Sequence, residues 1–208
     1  MTRKAHRIKL CWGIESGECP NLLFQEATLK QDLESDVERS GWPELLGRIL
    51  SREIKPLDQF SISVSGCPNG CSRPQIADFG LLQARHPELS GEACTGCGEC
   101  VQACREGAIE VLDGLAMIDP ESCLSCGVCI RTCPQGTLSP AIEGYRVQVG
   151  GKLGRHPRLA EELPGIQARG QMLEILKRCL ELHQRHYQPG RRFGQVVAQQ
   201  GVLQLQPG

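Results

Sequence analysis

Residues 60–66, FSISVSG, alternate large apolar and small polar side chains with a period of two. That pattern predicts a strand with one buried face. It runs straight into Cys67-Pro68-Asn69-Gly70-Cys71, a turn-forming stretch. A second alternation, AIEVLDGLAMID at 108–119, reads as a short hairpin with Asp113-Gly114 at its turn. YRVQVGG at 145–151 predicts a further strand. Helical periodicity is found over about 21–39, over about 43–54 behind Trp42-Pro43, and over about 167–187. In the last of these Leu173, Leu176, Cys179 or Leu180, and His183 recur on one stripe. The pattern predicts an α+β fold. Strands before and after a central insert are expected to share one sheet, because insertions succeed at surface loops whose ends lie close together.

The insert is set apart by its cysteines. Thirteen cysteines occur in 208 residues. CTGCGECVQAC (94–104) and CLSCGVCIRTCP (123–134) both fit C-x2-C-x2-C-x3-C, with Arg105 in the first where the second has Pro134. This is the bacterial ferredoxin spacing for two [4Fe–4S] clusters, in which the fourth cysteine of each run ligates the other cluster. Cys94, Cys97, Cys100 and Cys133 are therefore expected to hold one cubane, and Cys123, Cys126, Cys129 and Cys104 the other. Small residues in the loops (Gly96, Gly98, Ser125, Gly127) let backbone amides approach the sulfides. The competing reading is zinc, but zinc sites usually draw on two separated Cys pairs. The expected organisation is one domain from 1–90 and 141–208, interrupted by a ferredoxin-like module at 91–140.

Five cysteines remain: Cys11, Cys19, Cys67, Cys71 and Cys179. Cys179 lies in the helical stripe and is read as a buried structural thiol. The other four are the number a third cubane needs; for Cys67 and Cys71 a pair of buried thiols is the plainer alternative. The odd cysteine count and the regular spacings favour metal ligation over a disulfide framework. A formal net charge of −1 gives no field that calls for nucleic acid or an anionic membrane. No apolar run approaches a membrane span, and MTRKAHRIKLCWGIES is basic without the apolar stretch of a signal peptide. The expectation is a cytoplasmic protein. A cluster-based redox sensor is disfavoured because no DNA-binding segment is recognisable.

SGCPNGCSRPQIADFGL (65–81) resembles the second half of the sirohaem and [4Fe–4S] signature of sulfite and nitrite reductases. CWGIESGECP (11–20) stands where that family has its first cysteine pair, with a longer spacer between Cys11 and Cys19 than the family usually shows. GYRVQVGGKLGRHPRLAEELPG (144–165) and RRFGQVVAQQG (191–201) look like segments that follow the ferredoxin insert in dissimilatory sulfite reductase subunits. The resemblance implies a cubane on Cys11, Cys19, Cys67 and Cys71, with Cys71 also bridging to sirohaem iron. Asn69 and Gly70 are expected to take left-handed dihedrals at low cost. Arg73, Arg158 and Asn69 are candidates for contacts with the cofactor. Lys152, Arg155 and His156 are candidate charge and proton donors to a bound oxyanion. A solvated basic loop is the alternative for the 152–158 run.

The activity so implied is reduction of sulfite or nitrite. An external donor protein would supply electrons through the ferredoxin clusters and the cysteine-bridged centre. The family's substrate-binding half has no matching positions in this sequence. A reduced pocket completed by self-association, a partner subunit that supplies the missing half, and a non-catalytic electron-transfer protein all fit.

Overall fold

The computed structural model describes residues 3–90 and 93–205. The elements in chain order are β1 (His6–Leu10), α1 (Trp12–Ser16), α2 (Leu29–Arg39), α3 (Trp42–Ile49), β2 (Phe60–Ser65) and β3 (Phe79–Leu89). There follow α4 (Glu99–Ala103), β4 (Ile109–Leu112), β5 (Leu115–Ile118) and α5 (Val128–Thr132). The chain returns through β6 (Leu138–Val149) and β7 (Glu161–Glu162) and ends with α6 (Arg169–His186) and α7 (Phe193–Gln200).

Five strands form one mixed sheet in the order β1-β2-β3-β6-β7. The β1–β2 and β2–β3 pairs are parallel, and β3–β6 is a long antiparallel ladder from Phe79↔Val149 to Leu89↔Leu138. The cysteine-rich module leaves the sheet at the end of β3 and rejoins it at the start of β6. Its own sheet is the β4–β5 hairpin, turned by Asp113 (φ 51°) and Gly114 (φ 79°).

The period-two pattern of β2 divides the labour between the two faces of the sheet. Phe60, Ile62 and Val64 point into the core with Phe79, Leu81, Val147 and Val149, against Leu33 of α2, Trp42 of α3, Leu176 of α6 and Phe193 of α7. Trp42 is wholly buried, donates Nε1–H to the Ala5 carbonyl at 3.0 Å, and stacks on His183 at 4.5 Å. Burial of an aromatic ring of this size contributes about 4–6 kcal/mol before entropy is counted. The alternate residues Ser61, Ser63 and Ser65 face the other side of the sheet. There they hold the segment that carries Cys67 and Cys71.

Two helices are shorter than the periodicity predicts. The helix expected over about 21–39 begins only at Leu29. Upstream, the backbone is used for tertiary bonds: Leu23 N–H donates to Gly66 O at 3.0 Å, and Phe24 exchanges hydrogen bonds with the Gln83 side chain at 3.3 and 2.9 Å. A helix there would have to give these up. The helix expected over about 43–54 stops at Ile49, with Leu50 extended. Asp58 accounts for the stop: it binds Arg52 through both carboxylate oxygens, at 2.6 and 3.0 Å, and accepts Lys55 N–H at 2.7 Å. Among the described residues no helix is long and apolar enough to cross a membrane.

Candidate functional site

The Cys67–Cys71 turn is fastened to the polar face of β2. Ser61 donates to Asp78 at 2.6 Å, Ser63 donates to Ser72 O at 2.8 Å, and Ser65 and Ser72 share a 2.6 Å hydroxyl contact. Asp78 is completely buried, so burial raises its carboxyl above the usual range; Arg192 at 3.4 Å and Ser61 act in the opposite direction. Within the turn Gly70 is left-handed at φ 64°, with the Gln75 amide 2.6 Å from where a Cβ would stand. The expectation for Asn69 is corrected: it is not among the positive-φ residues, and the second left-handed residue is Arg73, at φ 67°. A non-glycine residue held there stores about 1–2 kcal/mol, tolerated because Ser72 and Pro74 on either side are buried against the sheet.

Parallel pairing brings the upstream cysteines to this turn. Because β1 and β2 run the same way, with Leu10 opposite Val64, their carboxyl ends lie together. Cys11 therefore sits beside Gly66 and Cys67. Its N–H donates to Val64 O at 2.9 Å, and its sulfur accepts Gly66 N–H at 3.2 Å. The short helix α1 then turns the chain back so that Cys19 passes across Gly13. A Cβ on Gly13 would stand 2.6 Å from Cys19 Cβ, 3.4 Å from Cys19 Sγ and 3.8 Å from Cys11 Sγ. The longer Cys11–Cys19 spacer is thus taken up by one helical turn with a glycine at the point of contact. Burial raises the Cys67 thiol above its ordinary value, and Cys71, Cys19 and Cys11 all raise it further. All four upstream cysteines converge. Cys11, Cys19 and Cys67 are half-buried, while Cys71 is exposed.

The module gathers its cysteines in two crossed sets. Cys94, Cys97, Cys100 and Cys133 line one pocket beside Gly96, Gly98 and Pro134. Burial raises the Cys100 thiol, with Cys133 and Cys94 adding to it. Burial also acts upward on Cys133, but the amides of Leu138, Gln135 and Thr137 and the Thr137 hydroxyl outweigh it and bring that thiol down. In the other set the Cys129 thiol is pushed up to about 11, first by burial and then by Cys123, Cys126 and Cys104. This second set lines a cleft of about 550 Å³ that also reaches Pro20, Cys67, Pro68 and Asn69. The Cys123–Cys129 loop is tied inward: Ser125 O accepts Arg85 N–H at 2.7 Å, and Leu124 O accepts from Arg146 at 3.3 Å.

Among the described residues no three His, Cys, Asp or Glu side chains come close enough to hold a single metal ion. The thiols stand in fours, a soft donor set of the kind that holds iron–sulfur clusters. Cys179, completely buried in α6 with its thiol pushed far up by that burial, stands apart from all three sets.

Two residues beyond the exposed Cys71 the chain enters a basic groove. Arg73 lines a shallow groove of about 400 Å³ with Arg7 and Lys9 of β1 and Ser61, Ser63 and Ser72. None of the three cations forms an ion pair among the described residues. Sequence reasoning missed Arg7 and Lys9. Their signal was the alternation His6-Arg7-Ile8-Lys9-Leu10, a half-buried edge strand that puts both cations opposite Ser61 and Ser63. The 152–158 loop lies on the far side of the 74–77 segment, where Gly151 packs against the Gln75 and Ala77 carbonyls and Ala160 N–H donates to Gln75 O at 2.8 Å. Within it Arg155 and His156 are exposed and Lys152 half-buried. Arg158 is already engaged, by Glu161 and by the Gly194 carbonyl at 2.9 Å.

A mixed sheet that gathers cysteines at parallel strand ends, and carries a doubled cysteine insert, defines an iron–sulfur protein of the sulfite and nitrite reductase fold. A sequence model of the nitrite and sulphite reductase 4Fe-4S domain matches residues 50–206, and the chain belongs to that family. It is 46% identical over 113 residues to a coenzyme F420-dependent sulfite reductase of Methanocaldococcus jannaschii, covering 53% of this chain and 18% of that protein. It is 32% identical over 68 residues to one of the subunits of the anaerobic sulfite reductase of Salmonella typhimurium, covering 32% of this chain and 20% of that one. Dissimilatory sulfite reductase I superposes with a TM-score of 0.62 at 19% identity, covering 95% of this chain and 50% of that one. NirA of Mycobacterium tuberculosis superposes with a TM-score of 0.51 at 21% identity, over 96% of this chain and 26% of that one. At those identities the structures establish the fold. The matched segments are about a fifth of these curated relatives' lengths and half or less of the solved chains.

Proposed function

We propose that the chain is a sirohaem-dependent sulfite (or nitrite) reductase-type oxidoreductase. The observation that carries this reading is the junction at the carboxyl ends of β1 and β2. There Cys11, Cys19 and Cys67 converge, and Cys71 stands exposed beside a cationic groove. Cys11, Cys19, Cys67 and Cys71 would hold one cubane, with Cys71 shared by sirohaem iron. Cys94, Cys97, Cys100 and Cys133 would hold a second, and Cys104, Cys123, Cys126 and Cys129 a third. When bound, the clusters supply one-electron transfer and the sirohaem an open iron face for the oxyanion.

The chain's own residues do the rest. The serines of β2 and the left-handed Gly70 and Arg73 fix where the Cys71 sulfur stands. Arg7, Lys9 and Arg73 offer fixed positive charge to a polycarboxylate macrocycle, with the guanidinium forks suited to bidentate carboxylate binding. Lys152, Arg155 and His156 offer further charge and exchangeable protons from the loop beyond the 74–77 segment, while Arg158 braces that loop from within. The sulfite preference draws on the two curated relatives, both of them sulfite reductases. The expectation of a partner draws on the Salmonella relative, which is one subunit of a larger enzyme. An external donor protein is required for turnover.

The test is the visible spectrum of anaerobically purified chain expressed with ample sirohaem supply, taken with and without sulfite. A Soret-type band with a red band that shifts on sulfite addition is expected. A broad cluster shoulder with no extractable tetrapyrrole would overturn the reductase reading and leave an electron-transfer protein.

A further inference from the structure

We infer that the outer face of the β4–β5 hairpin is the docking surface for a small basic redox protein, which exchanges electrons with the Cys94/Cys97/Cys100/Cys133 set. The inference rests on the reading of those cysteines as cluster ligands. The module is polarised. Its Cys123–Cys129 loop faces the reductase body, with Gly127 against Arg85 and Leu23, and shares a cleft with Cys67. The Cys94–Cys100 loop faces away, and its Gly96 packs on Gly114 at the hairpin tip, 3.3 Å from where a Cβ would stand. The set nearest the hairpin is thus the outer member of the series, and Cys97 within it is exposed.

The hairpin face itself is unusual. Cross-strand pairing places Ile109 opposite Ile118 and Val111 opposite Ala116 on the inner face. Leu112 opposite Leu115, and Glu110 opposite Met117, form the outer face. Leu112, Leu115 and Met117 are each about half exposed (51%, 47% and 48%). A solvated hairpin face ordinarily alternates to polar residues, so three adjacent large apolar side chains mark a contact surface. Its rim is acidic, with Glu110 and Asp113 both exposed. Residues 91–140 carry seven acidic residues against two arginines, which leaves the remainder of the chain with 21 Lys and Arg against 17 Asp and Glu. An acidic module on a basic body steers a basic carrier to the module and an oxyanion to the body. The step is a single-electron exchange in either direction: one of the carrier's centre and the outer set is oxidised as the other is reduced, and no covalent bond is made or broken.

The probe is mitochondrial cytochrome c, a basic carrier whose exposed haem edge is ringed by lysines, used as the acceptor from dithionite-reduced protein. The bimolecular rate of its reduction and its NMR line broadening on the oxidised chain are both read. The rate should fall as salt rises. It should also drop about tenfold at low salt in Glu110→Gln with Asp113→Asn, and in Leu115→Ser with Met117→Ser, while iron and sulfide stay unchanged. Glu34→Gln with Glu38→Gln, on α2, should leave both readouts unchanged. Rates and broadening indifferent to the hairpin changes, or equally lowered by the α2 pair, would overturn the inference. So would a parent dimer that the hairpin changes split, since the face would then be a self-interface. Parent protein without iron and sulfide in the module would instead overturn the cluster reading beneath it.

Discussion

Gly13→Ala separates the stability of the fold from the integrity of the upstream cysteine set. Gly13 lies inside α1, where alanine alone would stabilise by about 1 kcal/mol. Its Cβ would stand 2.6 Å from Cys19 Cβ, whereas carbon atoms rest at about 3.5–4.0 Å. Cys19 must therefore retreat by roughly 1 Å, with the chain behind it. Overpacking of this kind costs about 1–3 kcal/mol, so the net loss is about 0–2 kcal/mol. For a chain of this size that lowers Tm by at most about 8 °C, and the fold survives. A cubane does not survive a displaced ligand so easily. On the proposed three-cluster reading, iron and acid-labile sulfide per chain should fall by about a third, with the module's two clusters still visible by EPR. Gly47→Ala is the control. Nothing lies within 4 Å of that Cβ in α3, so it should stabilise by about 0.5–1 kcal/mol and leave iron unchanged. Gly13→Ala protein with full iron and an unaltered EPR spectrum would refute the reasoning that Cys11 and Cys19 meet across this glycine to serve one cluster.

Burial pulls the His183 imidazole from its ordinary value down to about 3, so the folded chain keeps it neutral while the unfolded chain protonates it below about 6.5. The folded value is the lower one, so His183 contributes stability above about 6.5 that is lost as pH falls; from about pH 7 to about pH 5 the loss is about 2 kcal/mol, and His183→Phe should flatten that part of the urea-denaturation pH profile. Trp42→Phe leaves the Ala5 carbonyl without its 3.0 Å donor and should cost about 2–4 kcal/mol by thermal or chemical denaturation; a loss below about half a kcal/mol would show that the bond carries little. Cys179→Ala should cost about 1 kcal/mol of stability and no iron; a loss of one cluster's iron would mean that Cys179 is a ligand.

The legible parts of the fold were those in which period and chemistry agree. β2 alternates cleanly because one face is packed and the other is serine. The hairpin announces itself through Asp113-Gly114, and α6 through a stripe that includes Cys179 and His183. The segment 21–28 misled because its apolar residues mimic a helix while its backbone is bound to Gly66 and Gln83, far away in sequence. β1 was missed because five residues of an edge strand carry little periodic signal. Yet its parallel pairing is what brings Cys11 to Cys67, and no spacing rule contains that information. Arg73 was expected as a cation, but its left-handed backbone depends on neighbours buried against the sheet. The module's cysteine runs carry the ferredoxin spacing, whose crossed ligand sets are the expectation, and the structure places Cys133 in one pocket with Cys94, Cys97 and Cys100.

The central claim is that Cys71 joins a cubane to a second iron centre at the ends of β1 and β2. The Mössbauer spectrum of isotopically enriched protein, compared between the parent and Cys71→Ser, tests it most directly. The parent should show two uncoupled cubanes and a third magnetically coupled to sirohaem iron, with that coupled centre lost and the two uncoupled cubanes kept in Cys71→Ser. A parent spectrum containing two cubanes and no coupled centre would contradict the account, as would a coupled centre that Cys71→Ser leaves untouched.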